Sequence, residues 1–282
     1  MLATGSKSLT GFRLSIRSSA DGFSFSVSST LDGSVVQTDR FSVAEPAAAP
    51  DVLRQALQKP YLMDYRFLSV ELVADTKSTI VPLEHFNKSD MLAFYRLCFP
   101  TANTQRSTVN GQRSMVNGQW SMVNGQWSTV NGQRSTVNVQ CSMADMQYQI
   151  LSSLEAVMVF RIDQNILRIV QECYADVKVC CTDAQQLEHF AVLQEKHHIS
   201  ADAEQRDAYV SIGDNRFFVA VFHRNKLQYA GSQVADNDSD RTFLLLGIWK
   251  ALEMNAQRDI CHLRGASDEL QKIIGEYILN LE

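Results

Sequence analysis

The sequence lacks the apolar segments that direct a chain into or across a membrane. No run of 18 apolar residues occurs among its 282 residues, so no transmembrane helix is expected. The first twelve residues, MLATGSKSLTGF, contain no apolar core of signal-peptide length. The six cysteines form no CxxC pair, and reduced thiols are therefore expected. These absences predict a cytoplasmic protein.

Charge of neither sign dominates the chain. It has 26 Lys and Arg residues against 31 Asp and Glu residues, which gives a net charge of −5. This mildly acidic balance argues against a nucleic-acid partner, because the phosphate backbone attracts basic proteins. A hydrophobic content of 45% is typical of a folded chain, and the length allows one large domain or two of ordinary size.

The common catalytic and metal-binding motifs are also missing. No GxSxG, Walker A or GxGxxG motif occurs. The polar stretch from Glu188 to Asp202 contains His189 and His197, whose separation of eight residues does not match the i, i+4 spacing of helical zinc sites. A solvated helix end is favoured over a metal centre there, and no metal or other cofactor is expected on these grounds.

Residues 107–141, the heptad segment, consist of five successive heptads: STVNGQR, SMVNGQW, SMVNGQW, STVNGQR and STVNVQC. Each of the first four contains Asn-Gly, a turn signal, and there is no apolar a/d seam, so a coiled coil is not expected. SMVNGQW can be written as three copies of the seven-base unit TCAATGG, and one T-to-C change in that unit accounts for both the Met/Thr and the Trp/Arg differences. We predict a tandem-repeat insertion that forms a mobile surface loop, with a short repetitive β-structure as the alternative. Neutral slippage of the repeat is favoured over a phase-variation switch.

The rest of the chain contains two stretches that each open with three strands. In the first, the alternation in 12–18 and 23–29 predicts a hairpin, followed by a strand at 34–43. In the second, strands are predicted at 208–212, 217–222 and 227–234. The following helix is predicted to bury Phe243, Leu246, Trp249 and Leu252, and a last helix to run through Leu270, Ile274, Ile278 and Leu281.

This order resembles the duplicated ribonuclease-H-like halves of the actin-like ATPase superfamily. The hairpin LSIRSSADGFSFSV carries most of the resemblance, and the segment from Glu155 to Leu193 is similar to the pilus-assembly branch. Apart from the heptad segment, the whole chain resembles a family of uncharacterised bacterial proteins with this fold. The resemblance implies an α/β protein with two ribonuclease-H-like domains, at 1–200 and 201–282, whose boundary falls between 145 and 205.

The phosphate-binding positions of that superfamily are degenerate here. Its first hairpins carry an Asp for Mg²⁺ or water and a Gly at the phosphates, but Ser15 and Ser211 stand at the two Asp positions and Arg17 at the first Gly position. Gly213 matches the second Gly, and one Gly remains in the loop expected to contact adenine. The resemblance therefore implies a degenerate anion site formed by Ser15, Arg17, Ser18, Ser19, Ser211, Gly213, Gly265 and Ser267.

These departures shape the expected function. Hydroxyl groups do not replace carboxylates in holding Mg²⁺, so we expect a non-catalytic binding or scaffold protein with a protein partner. The alternatives are a nucleotide-binding protein or weak ATPase that still binds ATP and Mg²⁺, and a sugar-kinase-like enzyme. A nuclease is disfavoured, because Asp21, Glu71 and Asp75 do not form the expected metal cluster. A basic pocket of Lys7, Arg17 and Arg264 is a further hypothesis.

Overall fold

Strands and short helices alternate along most of the chain. The computed structural model describes residues 11–99, 116–123, 126–130, 142–197 and 204–282. The strands are β1 (Phe12–Ser19), β2 (Gly22–Ser29), β3 (Val35–Ser42), β4 (Phe67–Ala74), β5 (Ser78–Pro82), β6 (Val116–Val123), β7 (Gln126–Val130), β8 (Met146–Leu151), β9 (Ala156–Arg161), β10 (Val177–Cys181), β11 (Arg206–Ile212), β12 (Arg216–His223), β13 (Lys226–Val234), β14 (Ile260–Arg264) and β15 (Asn280–Leu281). The helices are α1 (Ala49–Leu57), α2 (Pro60–Asp64), α3 (Met91–Cys98), α4 (Gln164–Cys173), α5 (Thr182–His197), α6 (Asp238–Ala251) and α7 (Asp268–Gly275).

Two five-stranded sheets are built to the same plan. The first sheet has the order β10-β4-β1-β2-β3, and the second has the order β13-β12-β11-β14-β15. In each sheet the opening three strands are antiparallel, and the first of them is parallel to a fourth strand that is parallel to a fifth. The predicted recurrence of the three-strand opening and the α/β fold class are confirmed.

The first sheet buries one face of β1 and β2, and both faces at the carboxyl ends of β4 and β10. Leu14 and Ile16 of β1 and Phe25 and Val27 of β2 are almost inaccessible to solvent, whereas the serines between them remain partly exposed. This period of two is what a strand pair with one apolar face requires. Helices α1 and α4, which pack together, supply the other buried apolar residues of this part of the chain, among them Leu53, Ala56, Ile166 and Val170.

The second sheet buries both faces. On one face Val210 and Val219 belong to a cluster that includes Ile248 of α6 and Ile274 of α7. On the other face Phe190 of α5 stacks on Tyr209 and Phe218, with ring centroids 5.4 and 6.1 Å away. The inner strand β12 is accordingly almost continuously apolar, as in sheets covered on two sides.

The remaining strands form two small sheets, and the contacts divide the chain into two compact units. A three-stranded sheet has the order β5-β9-β8, and β6 pairs with β7 inside the heptad segment. The rest of the heptad segment lies outside the described residues, so the predicted mobile loop stays a prediction. The first unit contains Met1–Thr76, Ala144–Gln147 and Phe160–Thr182, and the second unit contains Lys77–Met143, Tyr148–Val159 and Asp183–Glu282. Each five-stranded sheet lies in one unit, and the predicted boundary at residue 200 stays a prediction.

Two helix predictions were wrong. Phe243, predicted to be buried in α6, is 68% exposed, and Leu244, Leu245, Ile248 and Trp249 form the buried face instead. Four consecutive apolar residues, 243–246, cover every side of one helical turn, so periodicity alone does not select the face.

The last helix ends at Gly275 instead of continuing to Leu281. Residues 280–281 form β15, which is parallel to β14, and the backbone N–H of Leu263 donates to the Glu282 carbonyl over 2.7 Å. Residues 280–281 therefore pair with the open edge of β14 through backbone hydrogen bonds, although the apolar spacing of residues 270–281 also fits a helix.

Candidate functional site

Four of the predicted site residues lie on or near the β1–β2 turn of the first unit. Ser15 stands beside Ser26 of β2 and Glu71 of β4 in the sheet register. The Ser19 hydroxyl donates to the Gly22 carbonyl over 3.3 Å, and the Ser18 carbonyl accepts from the Asp75 N–H over 2.8 Å. The turn is therefore closed by hydrogen bonds within the first unit.

The carboxylate nearest to Ser15 in the register already has a cationic partner. Glu71 lies 3.8 Å from the ammonium group of Lys178, and its side chain is only 14% exposed. Arg17, two residues after Ser15, is exposed on the same face of the sheet. The first hairpin thus presents a guanidinium and hydroxyls, and its neighbouring carboxylate is engaged.

In the second unit, the loops that follow β11 and β14 approach each other closely. Gly265 has a φ of +74°, and a Cβ atom there would lie 2.8 Å from the Ile212 carbonyl oxygen. Only glycine fits this position without displacing backbone. The two loops lie at the carboxyl ends of adjacent parallel strands, the place where α/β sheets commonly bind ligands.

The polar groups around these loops bind one another. Arg241 of α6 donates to the carbonyls of Gly213 and Asp214 over 3.0 and 2.6 Å, and to the Asp238 carboxylate over 2.7 Å. The second carboxylate oxygen of Asp238 accepts from the Ser267 hydroxyl over 3.1 Å. Ser267 also accepts from the Leu270 N–H and caps α7. The sequence predicts Gly213 and Ser267 as phosphate ligands, and the structure engages both in holding the loops in place.

A second set of polar side chains lies on the α5 side of the same strand ends. Ser211 accepts a hydrogen bond of 3.4 Å from Gln186, and Arg264 contacts His189. Arg264 and His189 are both exposed. A guanidinium, an imidazole and a hydroxyl can together bind an anion, since the first two donate charge-assisted hydrogen bonds when protonated.

Asp183 is a buried charged residue whose partners sequence reasoning missed. Its side chain is 2% exposed, and it forms an ion pair with Arg216 of β12. It also accepts from the hydroxyls of Ser78 over 2.6 Å and Ser232 over 2.8 Å. The sequence pattern assigns no role to this residue. Its position directly after a buried strand was the one available signal, and nothing local in the sequence indicates its three distant partners.

The predicted residues do not form one set within a unit. Ser15, Arg17, Ser18 and Ser19 belong to the first unit, and Ser211, Gly213, Gly265 and Ser267 belong to the second. Of the predicted basic pocket, Lys7 lies outside the described residues. Across the described part of the chain, no three His, Cys, Asp or Glu side chains are placed to share a metal ion, and His198 and Asp202 lie outside that part.

A cleft of about 750 Å³ lies elsewhere in the second unit. Its walls come from β5, from residues 152–156 and from the hairpin at 225–230. None of the predicted site residues lines it.

Among the described residues no helix is both long and apolar enough to cross a membrane.

The fold is shared with proteins of known structure. A Bacteroides thetaiotaomicron protein, described as having an actin-like ATPase fold and unknown function, is 22% identical; the match covers 96% of this chain and 90% of that one, with a TM-score of 0.68. Weaker similarities are to a PilM–PilN type IV pilus biogenesis complex (12% identity, coverage 96% and 87%, TM-score 0.47) and to a ROK family protein from Streptococcus pneumoniae (10% identity, coverage 95% and 86%, TM-score 0.40). No curated protein matches the chain at a significant level.

The similarity to the Bacteroides thetaiotaomicron protein confirms the actin-like ATPase fold that the first hairpin and the repeated strand order predict. A family profile, that of DUF3822, proteins of unknown function, matches residues 6–116 and 134–281. The stretch that the profile leaves out, 117–133, falls inside the heptad segment. The match spans most of the sequence, and the chain therefore belongs to the DUF3822 family.

Proposed function

We propose that this chain is a cytoplasmic, non-catalytic binding or scaffold protein that uses an actin-like fold to engage a protein partner. The observation that carries the proposal is the state of the charged groups at the two hairpins. Ser15 and Ser211 stand where the resemblance places Mg²⁺-positioning carboxylates. Two carboxylates near these positions are engaged, Glu71 with Lys178 and Asp238 with Arg241 and Ser267.

This arrangement gives a physical reason for weak or absent phosphoryl transfer. Mg²⁺ binds through carboxylates and phosphate oxygens in near-octahedral geometry, and hydroxyl groups are poor substitutes for the carboxylates. Removing such electrostatic stabilisation costs several kcal/mol of barrier, or about a hundredfold or more in rate.

A second candidate is a nucleotide-binding protein without hydrolysis, and one observation favours it. The close approach at Gly265 keeps the two loops at the strand ends of the second unit together, with Arg264 and His189 exposed beside them. A phosphate group can bind there through Arg264 without a metal ion.

Calorimetric titration of the full chain with ATP and Mg²⁺, together with a phosphate-release assay, separates the candidates. The scaffold proposal expects no binding tighter than about 100 µM and no phosphate release above the protein-free rate. Binding that is tighter, and that weakens in Arg264→Gln but not in the matched exposed variant Arg54→Gln, would favour the nucleotide-binding candidate. Phosphate release that is lost in the same variant would overturn both.

A further inference from the structure

One face of the first sheet is polar along β1 and β2 and over most of the neighbouring strands. Val35, in the row of Ser28, is an exposed apolar residue on this face, and Val73 and Cys180, in the row of Arg17, are buried. Side chains that share a row in the sheet register project from the same face, and the face opposite Leu14 and Ile16 carries the intervening residues. We call this surface the open face. Its hydroxyl residues are Ser15, Ser24, Ser26, Ser28, Thr38 and Ser69. Its charged residues are Arg13, Arg17, Arg40, Glu71 and Lys178.

The matching face of the second sheet is different, although the two sheets share one plan. With Ser15 and Ser211 as equivalent positions, Tyr209 takes the place of Arg13, and Phe218 takes the place of Ser26. There the aromatic residues stack under Phe190 of α5 and are buried. The fold thus accommodates an apolar, helix-covered face at these positions, and the polar character of the open face belongs to this sequence and not to the architecture.

The open face carries an excess of positive charge. Arg13, Arg17 and Arg40 are exposed, and within the described ranges none of them has a carboxylate partner. Lys178 and Glu71 neutralise each other, so four cations and one anion leave a net +3 on the face, whereas the whole chain carries −5. Guanidinium groups and hydroxyls on a flat surface are complementary to carboxylates.

The open face lacks aromatic residues in the described strands, and this distinguishes between nucleic acid and protein as its acidic partner. Phe12, Phe23, Phe25 and Phe41 lie in the rows of the opposite, buried face. Proteins that bind single-stranded nucleic acid stack bases on exposed aromatic rings, and the open face has none in the described strands. A protein surface rich in Asp and Glu fits the chemistry better.

The dimensions of the face indicate how much of a partner it contacts. Five strands spaced by about 4.8 Å and three rows spaced by about 7 Å span at most roughly 19 by 14 Å. The corner formed by Val73 and Cys180 is buried and lies outside the accessible area. A helix with its side chains is about 10–12 Å wide, so one helix covers the face. A contact of at most about 270 Å² per partner is smaller than a standard specific interface, so the expected association is weak and reversible.

We propose that the open face of the first sheet binds the acidic side of a helix from a partner protein. The inference rests on the proposed function, because it takes binding of a protein to be what the chain does. It adds the surface, the charge and the secondary structure of the partner.

The test uses a fluorescent helical peptide of about 20 residues with Glu along one side, and a matched peptide with Gln in place of Glu. Fluorescence anisotropy measures binding to the full chain at about 20 mM and about 300 mM salt. The Glu peptide is expected to bind at low salt and to weaken at least about tenfold at high salt, because the Debye length shortens from about 20 to about 6 Å. The Gln peptide is expected to bind at least about tenfold more weakly at low salt.

Charge-reversal variants locate the binding surface. The variant Arg13→Glu/Arg17→Glu/Arg40→Glu is expected to lose the Glu peptide, and a milder variant with Gln at the same positions is expected to bind it several-fold more weakly. The control, Arg54→Glu/Lys250→Glu/Lys272→Glu, changes the same charge at exposed residues of three helices and is expected to bind like the unaltered protein. Circular dichroism establishes that each variant is folded.

Three results would overturn the inference: no binding of the Glu peptide, equal loss in the control variant, or tighter binding of a single-stranded oligonucleotide than of the peptide. The phosphate-release assay on the same samples keeps the two proposals apart. Turnover of ATP with peptide binding intact rejects only the proposed function. Lack of peptide binding without ATP turnover rejects only the inference about the open face.

Discussion

The buried ion pair at the start of α5 gives the sharpest prediction for stability. Replacing Asp183 by Ala leaves the Arg216 guanidinium without its carboxylate and the hydroxyls of Ser78 and Ser232 without their acceptor. Breaking a buried pair by removing one partner costs about 3–5 kcal/mol. The Arg216 side chain is 22% exposed and still donates to Ser232 over 2.9 Å, so we expect a loss near the lower end, about 3 kcal/mol.

Two further variants calibrate that value. Asp183→Asn keeps the size of the side chain and one acceptor oxygen, but it loses the charge and replaces the other acceptor by an N–H donor, and we expect about 1–2 kcal/mol. Glu204→Ala removes the carboxylate of a surface pair with Arg258 in the same unit, in which the side chains are 73% and 36% exposed and 3.3 Å apart. A surface pair of this kind contributes less than about 1 kcal/mol.

Urea unfolding followed by the fluorescence of Trp249 measures these differences, because Trp249 is buried in the second unit. Replacing Trp120 and Trp127 of the heptad segment by Phe leaves Trp249 as the single reporter. Using one probe inside one unit matters, since a chain with two compact units need not unfold in a single step. If Asp183→Ala lowers the free energy of unfolding no more than Glu204→Ala does, the Asp183 pair does not stabilise the second unit.

Four other results are expected. Gly265→Ala destabilises the second unit by about 1–3 kcal/mol in the same assay, because the added Cβ would lie too close to the Ile212 carbonyl oxygen. The control Gly247→Ala places its Cβ in open space within α6 and is neutral or stabilising. Iodoacetamide at about pH 8 alkylates exposed Cys173 in the folded protein but leaves Cys261, whose pKa burial raises to about 12; mass spectrometry would reject this if both react before urea is added. Burial also raises the pKa of Tyr229 from 10.0 to about 12. The stability that this neutral phenol contributes is therefore complete below pH 10 and is lost as the pH rises toward 12. Between pH 10 and 12 the urea midpoint of Tyr229→Phe is expected to fall less than that of the unaltered protein. Sequencing the gene is expected to show a seven-base period through the heptad segment, and codons without that period would reject its proposed origin.

The sequence predicted the strands more successfully than the helices. The alternation in FRLSIRS and FSFSVSS located β1 and β2, because a strand with one buried face imposes a period of two on its own residues. In α6 the run from Phe243 to Leu246 offered every side of the helix an apolar residue, and only packing against the sheet selected Leu245 and Ile248. The end of α7 was missed because the free edge of β14 is not encoded near Gly275.

The candidate site shows the same division. The positions of Ser15, Arg17 and Ser211 can be identified from the sequence, because the alternating pattern of neighbouring residues locates each hairpin. The partners of Asp183 lie 33 to 105 positions away in the chain, and no short-range pattern records them.

By itself the sequence determined that this protein is α/β, that its three-strand opening occurs twice, and that the heptad segment is foreign in composition to the rest. Those features arise from neighbouring residues, whose period and turn chemistry act over a few positions. Only the tertiary structure decided which face of the first sheet stays open, how Arg241 and Asp183 are engaged, and where the last residues pair. These outcomes depend on strands and helices distant in the chain competing for the same surfaces, and burial and hydrogen bonding settle that competition only when the whole chain has folded.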